Sequence, residues 1–272
     1  LSISFFITSK EFRQSLPYVA YSVPTSSMQS TLYIGDCFIS KKVQPEEIKR
    51  GDMSVFIYPA GYMDEEVTYI KRCVALPGDK LEILGGKVFL NAEAEKRAST
   101  YQTSYTLKTH SPLSPLEIET LGILEYEKSA IENEYVIHCT EGQSVELSKV
   151  KKVSKVELIY EQGSDPMMYP YSLQKEWNAD NYGPFVIPQR GFKITLNDSM
   201  LGLYEKVILD EGGSIDNSTY TFTKDYFFML GDNRKRSADS RYWGFVPEEN
   251  IISKPLYIYW AKDKSRIGMD LK

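Results

Sequence analysis

The sequence predicts a mostly β fold, and three features of the 272-residue chain support this prediction. Aromatic residues suit the pleated surface of a sheet, and the chain has 20 Tyr and 12 Phe. Short apolar runs bounded by Gly, Asp or Pro recur at both ends of the chain, as expected of strands joined by turns. Apolar residues make up 42% and charged residues 25%, so the chain can bury a sizeable core.

The first part of the chain, from residue 17 to 84, is expected to form several short strands. Each candidate is an apolar run that starts or stops at a turn signal, and two consecutive glycines mark the tip of a hairpin. The candidates are Leu32–Ile34 and Cys37–Ile39 around a Gly35-Asp36 turn, Met53–Tyr58, Val67–Leu76 before Pro77-Gly78-Asp79, and a hairpin over Lys80–Asn91 with Gly85-Gly86 at its tip.

The middle of the chain differs from both ends, because polar stretches and six prolines separate its strand signals. We interpret residues 85–225 as a β-rich insertion domain, with short helices at 113–121, where Ser114-Pro115 resembles a helix start, and at 172–178. Compact apolar strands return at Tyr226–Leu230 and Leu256–Trp260. The predicted catalytic core is therefore 9–84 plus 226–272.

Charge and cysteine content exclude several function classes. The net charge of −5 argues against nucleic acid as the main partner, because phosphate binding needs a basic face. Cys37, Cys73 and Cys139 are too few and too scattered for a disulfide framework, and we expect packed or free thiols. No Cys or His spacing indicates a metal site.

The first eight residues are mostly apolar but far shorter than the roughly 20 residues that span a bilayer. Residues 1–8 are interpreted either as the remnant of an N-terminal membrane anchor or as an edge strand.

Lys71 is the unusual residue of the longest predicted strand. Alternation places it on one face with Val67, Tyr69, Cys73 and Ala75, where it is the sole charge. Burial would lower the pKa of this lysine and make it a candidate base. The alternative, a lysine whose amine reaches solvent at the sheet edge, remains open from this strand alone.

The segment from Val23 to Leu32 is a hydroxyl-rich turn between apolar strands. A nucleophilic serine needs a partner base, and histidine is the usual one. His110 lies in a polar loop and His138 lies within the strand-like Tyr135–Cys139, so both are interpreted as structural. Consecutive serines are also ordinary in turns, so this segment by itself does not establish a nucleophile.

Four segments in order resemble the bacterial type I signal peptidases. They cover about a fifth of the chain, and the last two are long and specific. The segments are Pro24-Thr-Ser-Ser-Met-Gln-Ser-Thr-Leu32, Arg50-Gly-Asp-Met-Ser-Val-Phe56, Tyr69-Ile-Lys-Arg-Cys-Val-Ala-Leu-Pro-Gly-Asp79 and Gly231–Pro247.

The resemblance implies a Ser–Lys serine endopeptidase with a β-barrel-like core. The nucleophile is the serine before the methionine, Ser27, and the base is Lys71. The Ser27 N–H and the Thr25 hydroxyl form the oxyanion hole, and Ser237 orients the lysine amine. Supporting roles fall to Asp239, Arg241, Asp232 and Arg72 as ionic contacts and to Gly231, which allows close backbone approach.

The resemblance also implies the substrate and the setting. Signal peptides of secreted preproteins would be cut after small residues at −3 and −1, without metal or cofactor. Partners would include the membrane surface and secretion machinery, with the catalytic domain on the extracytoplasmic side of the cytoplasmic membrane. The aromatic runs 242–245 and 257–260 would face lipid headgroups or pack in the core. By position, the substrate pockets are lined by Val23, Met28, Leu32, Tyr69 and Ile70.

One position departs from the family pattern, because Ser30 replaces the usual proline. Two rival functions also remain. A self-cleaving repressor-type Ser–Lys protease would need a DNA-binding module, for which the chain offers no candidate. A catalytically idle envelope peptide-binding module is disfavoured by the intact Ser27, Lys71 and Ser237. No motif of the insertion assigns its role, and the two candidate roles are shaping the substrate groove and contacting the secretion machinery.

Overall fold

A computed structural model describes residues 16–59, 67–96, 99–171, 176–216 and 218–271. The fold is mostly β, as predicted, and its strands are joined by tight turns. In chain order the strands of the described residues are β1 (Tyr18–Ser22), β2 (Cys37–Lys42), β3 (Met53–Ile57), β4 (Thr68–Ala75), β5 (Lys80–Leu84), β6 (Lys87–Leu90), β7 (Glu93–Ala94), β8 (Gln102–Thr109), β9 (Tyr126–Lys128), β10 (Glu134–Thr140), β11 (Val153–Leu158), β12 (Tyr182–Val186), β13 (Lys193–Thr195), β14 (Thr219–Thr221), β15 (Tyr226–Leu230), β16 (Val246–Pro247) and β17 (Ile251–Trp260).

The largest sheet has seven strands in the order β1-β2-β17-β3-β4-β15-β16, and it curls into a half-barrel. The two ends of the chain build this sheet together, because β17 lies between β2 and β3. Apolar residues of its strands form two buried clusters, one around Phe38 and Met53 and one around Phe56 and Met229. The sheet thus fixes β4, which carries Lys71, between β3 and β15.

Residues of the predicted insertion contribute to three further sheets, of which the smallest is the two-stranded β13–β14 pair. Strands β11-β8-β10-β9 form one sheet with a core of its own around Leu107 and Ile137. Strands β12-β5-β6-β7 form another, and their apolar residues share a cluster with Val74 of β4 and Phe228 of β15. The hairpin β5–β6 crosses the predicted boundary at 84/85, with Gly85 and Gly86 both at positive φ in its two-residue turn. The division into domains stays a prediction.

Four α-helices lie in the described residues: α1 (Pro115–Thr120), α2 (Glu141–Ser148), α3 (Asp198–Asp210) and α4 (Ser240–Trp243). The predicted helix at 113–121 is confirmed, since Ser114 caps α1 and Pro115 opens it. Residues 172–175 of the predicted helix 172–178 lie outside the described residues. Helix α3 was not predicted, although Asn197 caps it and it buries one apolar face, including Leu203 and Val207.

Two further predictions concern Leu32–Ile34 and residues 1–8. The strand predicted at Leu32–Ile34 is wrong, because these residues form the turn that closes on Asp36, whose carboxylate accepts a hydrogen bond from the Tyr33 N–H at 2.9 Å. The interpretation of residues 1–8 falls outside the described part of the chain. Among the described residues, no helix is long and apolar enough to cross a membrane.

All three cysteines are free, as expected. Cys73 and Cys139 are buried, and burial raises the pKa of the Cys139 thiol to about 12. The Cys139 side chain is therefore a packed thiol of the insertion core rather than a reactive one.

Candidate active site

Ser27 lies in a short 3-10 helix, Ser26–Met28, in the turn between β1 and β2. Met28 and Leu32 anchor the turn, because their side chains are fully buried in the half-barrel core. The Leu32 N–H donates to the Met28 carbonyl at 2.7 Å, which closes the turn. A buried apolar anchor therefore presents the Ser27 hydroxyl from a rigid backbone.

Lys71 reaches Ser27 from β4, where it pairs in register with Ser54 of β3. Its Nζ atom lies 2.5 Å from Ser27 Oγ, and the residue is only 5% exposed. Burial lowers the pKa of Lys71 from 10.5 to about 8, against the opposing charges of Asp239 and Asp232. The alternative of a solvent-reaching lysine is therefore wrong, and a large fraction of this amine is neutral at mildly alkaline pH.

Gly231 directly follows β15 and lies against the backbone of Ser27. A Cβ atom at this position would lie 2.5 Å from the Ser27 carbonyl oxygen and nearer still to the Ser237 hydroxyl. The site therefore tolerates only glycine there. Ser237 Oγ is buried and has no hydrogen-bond partner among the described residues. Its role in orienting the Lys71 amine stays a prediction.

Two buried ion pairs support the loop that begins at Gly231. Arg72 Nε and Nη2 donate to the Asp232 carboxylate at 2.7 and 2.5 Å. Arg241 Nε and Nη2 donate to Asp239 at 2.8 and 2.9 Å, and Asp239 also accepts from the Gly231 N–H at 3.1 Å. Despite complete burial, which opposes the effect, Arg241 lowers the pKa of Asp239. The pairs fix the loop beside β4.

Sequence reasoning missed two residues that hold the loop: Asn233 ties it to the nucleophile turn, and Gln102 ties it to β8. The Asn233 N–H donates to the Ser27 carbonyl at 3.1 Å, and Asn233 Nδ2 donates to the Ser26 carbonyl at 3.3 Å. Gln102 of β8 pairs with the same loop, because its N–H donates to the Asp232 carbonyl at 2.8 Å and its carbonyl accepts from the Arg234 N–H at 3.0 Å. Asn233 stands inside a recognised segment, whereas nothing in the sequence marks Gln102.

The backbone conformation at Ser30 explains why proline is absent from this position. Its φ is +73°, a left-handed conformation that proline cannot adopt because its ring fixes φ near −65°. Its hydroxyl donates to the Thr100 carbonyl, at the base of the insertion. The proline of the family pattern is therefore replaced here by a different turn that is tied to the insertion.

The dyad opens into a cleft of about 370 Å³. Tyr69 and Ile70 line it, as predicted for the substrate pockets, and Thr25 lines it beside Ser27. The Thr25 hydroxyl donates to Ser27 Oγ at 3.3 Å, so it reaches the reacting atom. The remaining described lining residues are Tyr21, Ser22, Pro24, Phe38, Val55, Val67, Thr68, Arg236 and Ala238.

Val23, Met28 and Leu32 are placed differently from the prediction. They are 3%, 0% and 0% exposed and pack with Phe38 in the core behind the cleft. They are not among the residues that line it. The three residues do lie in the turn beside Ser27, but their side chains pack into the half-barrel core and anchor the turn there.

Comparison with known proteins agrees with this geometry. The family model for signal peptidase, peptidase S26, matches residues 6–155 and 191–260. Signal peptidase I of Buchnera aphidicola subsp. Schizaphis graminum is 26% identical, over 92% of this chain and 70% of the relative. Signal peptidase I of Aquifex aeolicus is 26% identical, over 89% and 75%, and that of Helicobacter pylori strain J99 is 23% identical, over 89% and 74%. The chain therefore belongs to the peptidase S26 family of signal peptidases, which are serine endopeptidases.

Proposed function

We propose that this chain removes signal peptides from secreted preproteins with Ser27 as nucleophile and Lys71 as general base. The observation that supports this most is the 2.5 Å contact between Lys71 Nζ and Ser27 Oγ in the wall of an open cleft. The relatives named signal peptidase I supply the substrate class. The low pKa of Lys71 supplies a base that is partly neutral near pH 8.

The first chemical step is acylation. Neutral Lys71 accepts the Ser27 proton while Ser27 Oγ attacks the scissile carbonyl carbon, which forms a tetrahedral intermediate. The Ser27 N–H and the Thr25 hydroxyl donate to its oxyanion. The 3.3 Å contact of the Thr25 hydroxyl with Ser27 Oγ supports this role, because it brings a donor beside the reacting atom.

Collapse of the intermediate releases the mature protein. The Lys71 ammonium returns its proton to the leaving amine, so a new N-terminus leaves and an ester joins the signal peptide to Ser27. Lys71, neutral again, takes a proton from water, and the hydroxide equivalent attacks the ester carbonyl. Ser27 regains its proton from the Lys71 ammonium, and the signal peptide leaves with a free carboxylate.

Specificity is proposed to come from the cleft. Its described walls are mostly apolar, with Phe38, Val55, Tyr69 and Ile70 among them. An extended substrate with small residues at −3 and −1 would place these side chains against the walls. Shallow apolar pockets favour small residues through steric exclusion rather than through strong binding.

The proposed setting is the extracytoplasmic surface of the cytoplasmic membrane, where signal peptides emerge. Tyr257, Tyr259 and Trp260 at the end of β17 are about half exposed, as suits an interface with lipid headgroups. The other aromatic run differs, because Trp243 and Phe245 are buried in the core. A contact between the insertion and secretion machinery stays a prediction.

The test is cleavage of a purified preprotein with a small-residue cleavage site, followed by N-terminal sequencing of the product. The unmodified protein should cut at that site, and Ser27→Ala and Lys71→Ala should each lose activity by at least about a thousandfold. Ser26→Ala is the matched control and should keep activity, because Ser26 is the neighbouring serine without the lysine contact. Equal cutting by Ser27→Ala, or none by the unmodified protein, overturns the proposal. Cleavage confined to its own chain would instead favour a self-cleaving protease.

A further inference from the structure

Arg236 is the one exposed charged side chain in the described walls of the cleft, since Lys71 is only 5% exposed. Arginine stays charged at any physiological pH, whereas Lys71, the other basic residue in the walls, is buried with a lowered pKa. Asp and Glu are absent from the described lining residues. Although the chain has a net charge of −5, the exposed charge among the described lining residues is that of a cation.

Two carboxylates of the predicted insertion contact the Arg236 side chain. Its Nη1 donates to Glu127 Oε1 at 2.9 Å, and its Nε lies 3.8 Å from Glu125 Oε2. Glu127 stands on β9, the edge strand of the separate insertion sheet. The Arg236 side chain remains 44% exposed and Glu127 is more exposed still at 64%. A guanidinium has five N–H donors in a fixed fork, and the hydrogen bond to Glu127 uses one of them at Nη1 while Glu125 lies near Nε.

We propose that Arg236 is a specificity-determining residue that selects an acidic substrate side chain near the scissile bond, and that Glu127 moderates this selection. The inference rests on the proposed function and extends it to the charge of the substrate. Small residues fill positions −3 and −1, so the selected side chain stands at −2 or on the mature side at +1 or +2.

The expected size follows from the exposure of the pair. Exposed ion pairs contribute little, so the preference for Asp over Lys at the responsive position should be about two- to fivefold in kcat/KM. It should shrink with added salt, because the pair is exposed and the screening length falls from roughly 8 Å at physiological ionic strength to about 3 Å at 1 M. Glu127 competes with the substrate for the same guanidinium, so removing its charge should enlarge the preference.

The test uses preproteins that carry Asp, Asn or Lys at −2, +1 or +2, cut by the unmodified protein and three variants. Arg236→Gln should abolish the preference, Glu127→Gln should increase it about twofold, and Arg190→Gln should leave it unchanged. Arg190 is the matched control because it is an exposed arginine that pairs with Glu248 outside the cleft. A preference retained by Arg236→Gln, or lowered by Glu127→Gln, overturns the inference.

A binding measurement separates this inference from the proposed function. Fluorescent peptides that span the cleavage site, with Asp or Lys at the same positions, are titrated into Ser27→Ala and into Ser27→Ala combined with Arg236→Gln. Tighter binding of the Asp peptide only when Arg236 is present supports the inference, whether or not the unmodified protein cuts. Cleavage of every preprotein without a charge preference, and equal binding of both peptides, refutes it while the proposed function stands.

Discussion

Replacing Lys71 by methionine should stabilise the folded protein below pH 8. Methionine keeps the length of the apolar stem and removes the ammonium group from a site that is only 5% exposed. Burial lowers the pKa of Lys71 from 10.5 to about 8. At about 1.4 kcal/mol for each tenfold change in proton affinity, keeping this amine charged inside the fold costs roughly 3 kcal/mol. The lost hydrogen bond to Ser27 offsets about 1 kcal/mol of the gain.

The effect has a definite dependence on pH. Below pH 8 the Lys71 amine is protonated in both the folded and the unfolded state. The buried charge therefore lowers the free energy of unfolding by the same full amount throughout this range. Between pH 8 and 10.5 the unfolded chain keeps the proton that the folded protein has released, so the free energy of unfolding rises with pH. The advantage of Lys71→Met, about 2 kcal/mol at pH 7, should therefore disappear by pH 10.

Urea unfolding at intervals between pH 6 and pH 10 measures this difference. The control is Lys87→Met, which removes an exposed lysine from β6 and should change the free energy of unfolding by less than about 0.5 kcal/mol at every pH. The comparison with a variant matters because tyrosines also titrate toward the upper end of this range. A gap between Lys71→Met and the unmodified protein that stays constant from pH 7 to pH 10 would refute a buried lysine of low pKa.

Three further substitutions test the supports of the dyad. Gly231→Ala should lower the free energy of unfolding by about 2–3 kcal/mol in thermal unfolding, because its methyl group meets backbone. Gly142→Ala in α2 is the control and should not destabilise, because its methyl group meets only the Thr140 hydroxyl at an ordinary contact distance of 4.0 Å. Thr25→Val should lower kcat by about a hundredfold with folding intact, and Thr25→Ser should restore most of it if the hydroxyl binds the oxyanion. Asp232→Asn should destabilise by about 3 kcal/mol in urea, because Arg72 is left as a partly unpaired buried cation, and an unchanged midpoint would contradict that pairing.

Local signals predicted the strands well, because these depend on short stretches of sequence, whereas the Ser27–Lys71 pair was assigned from the resemblance to the signal peptidases. The alternation along β4 placed Lys71 on a buried face, and Gly85-Gly86 fixed the hairpin between β5 and β6. The ionic supports were named from the same resemblance, and the structure pairs Asp239 with its near neighbour Arg241 and Asp232 with the distant Arg72. Only the strand alternation and the hairpin turn are set by residues that are neighbours in sequence.

The remaining features depend on contacts between distant parts of the chain. Gln102 pairs with a loop more than a hundred residues away, and no local pattern marks such a contact. Leu32 has the composition of a strand but anchors a turn, because burial under the nucleophile outweighed β propensity. Helix α3 lies in a region whose separated strand signals predicted a β-rich insertion, although its cap and apolar face were readable.

The pH dependence of kcat/KM for preprotein cleavage tests the Ser27–Lys71 dyad most directly, because it reports the pKa of the essential base in the free enzyme. Our account predicts that log kcat/KM rises with a slope of one and levels near pH 8, where Lys71 loses its proton. The same profile should be kept when His110 and His138 are replaced by glutamine. A profile that is flat between pH 6 and pH 9, or one whose break near pH 6.5 vanishes with a histidine, would contradict Lys71 as the base.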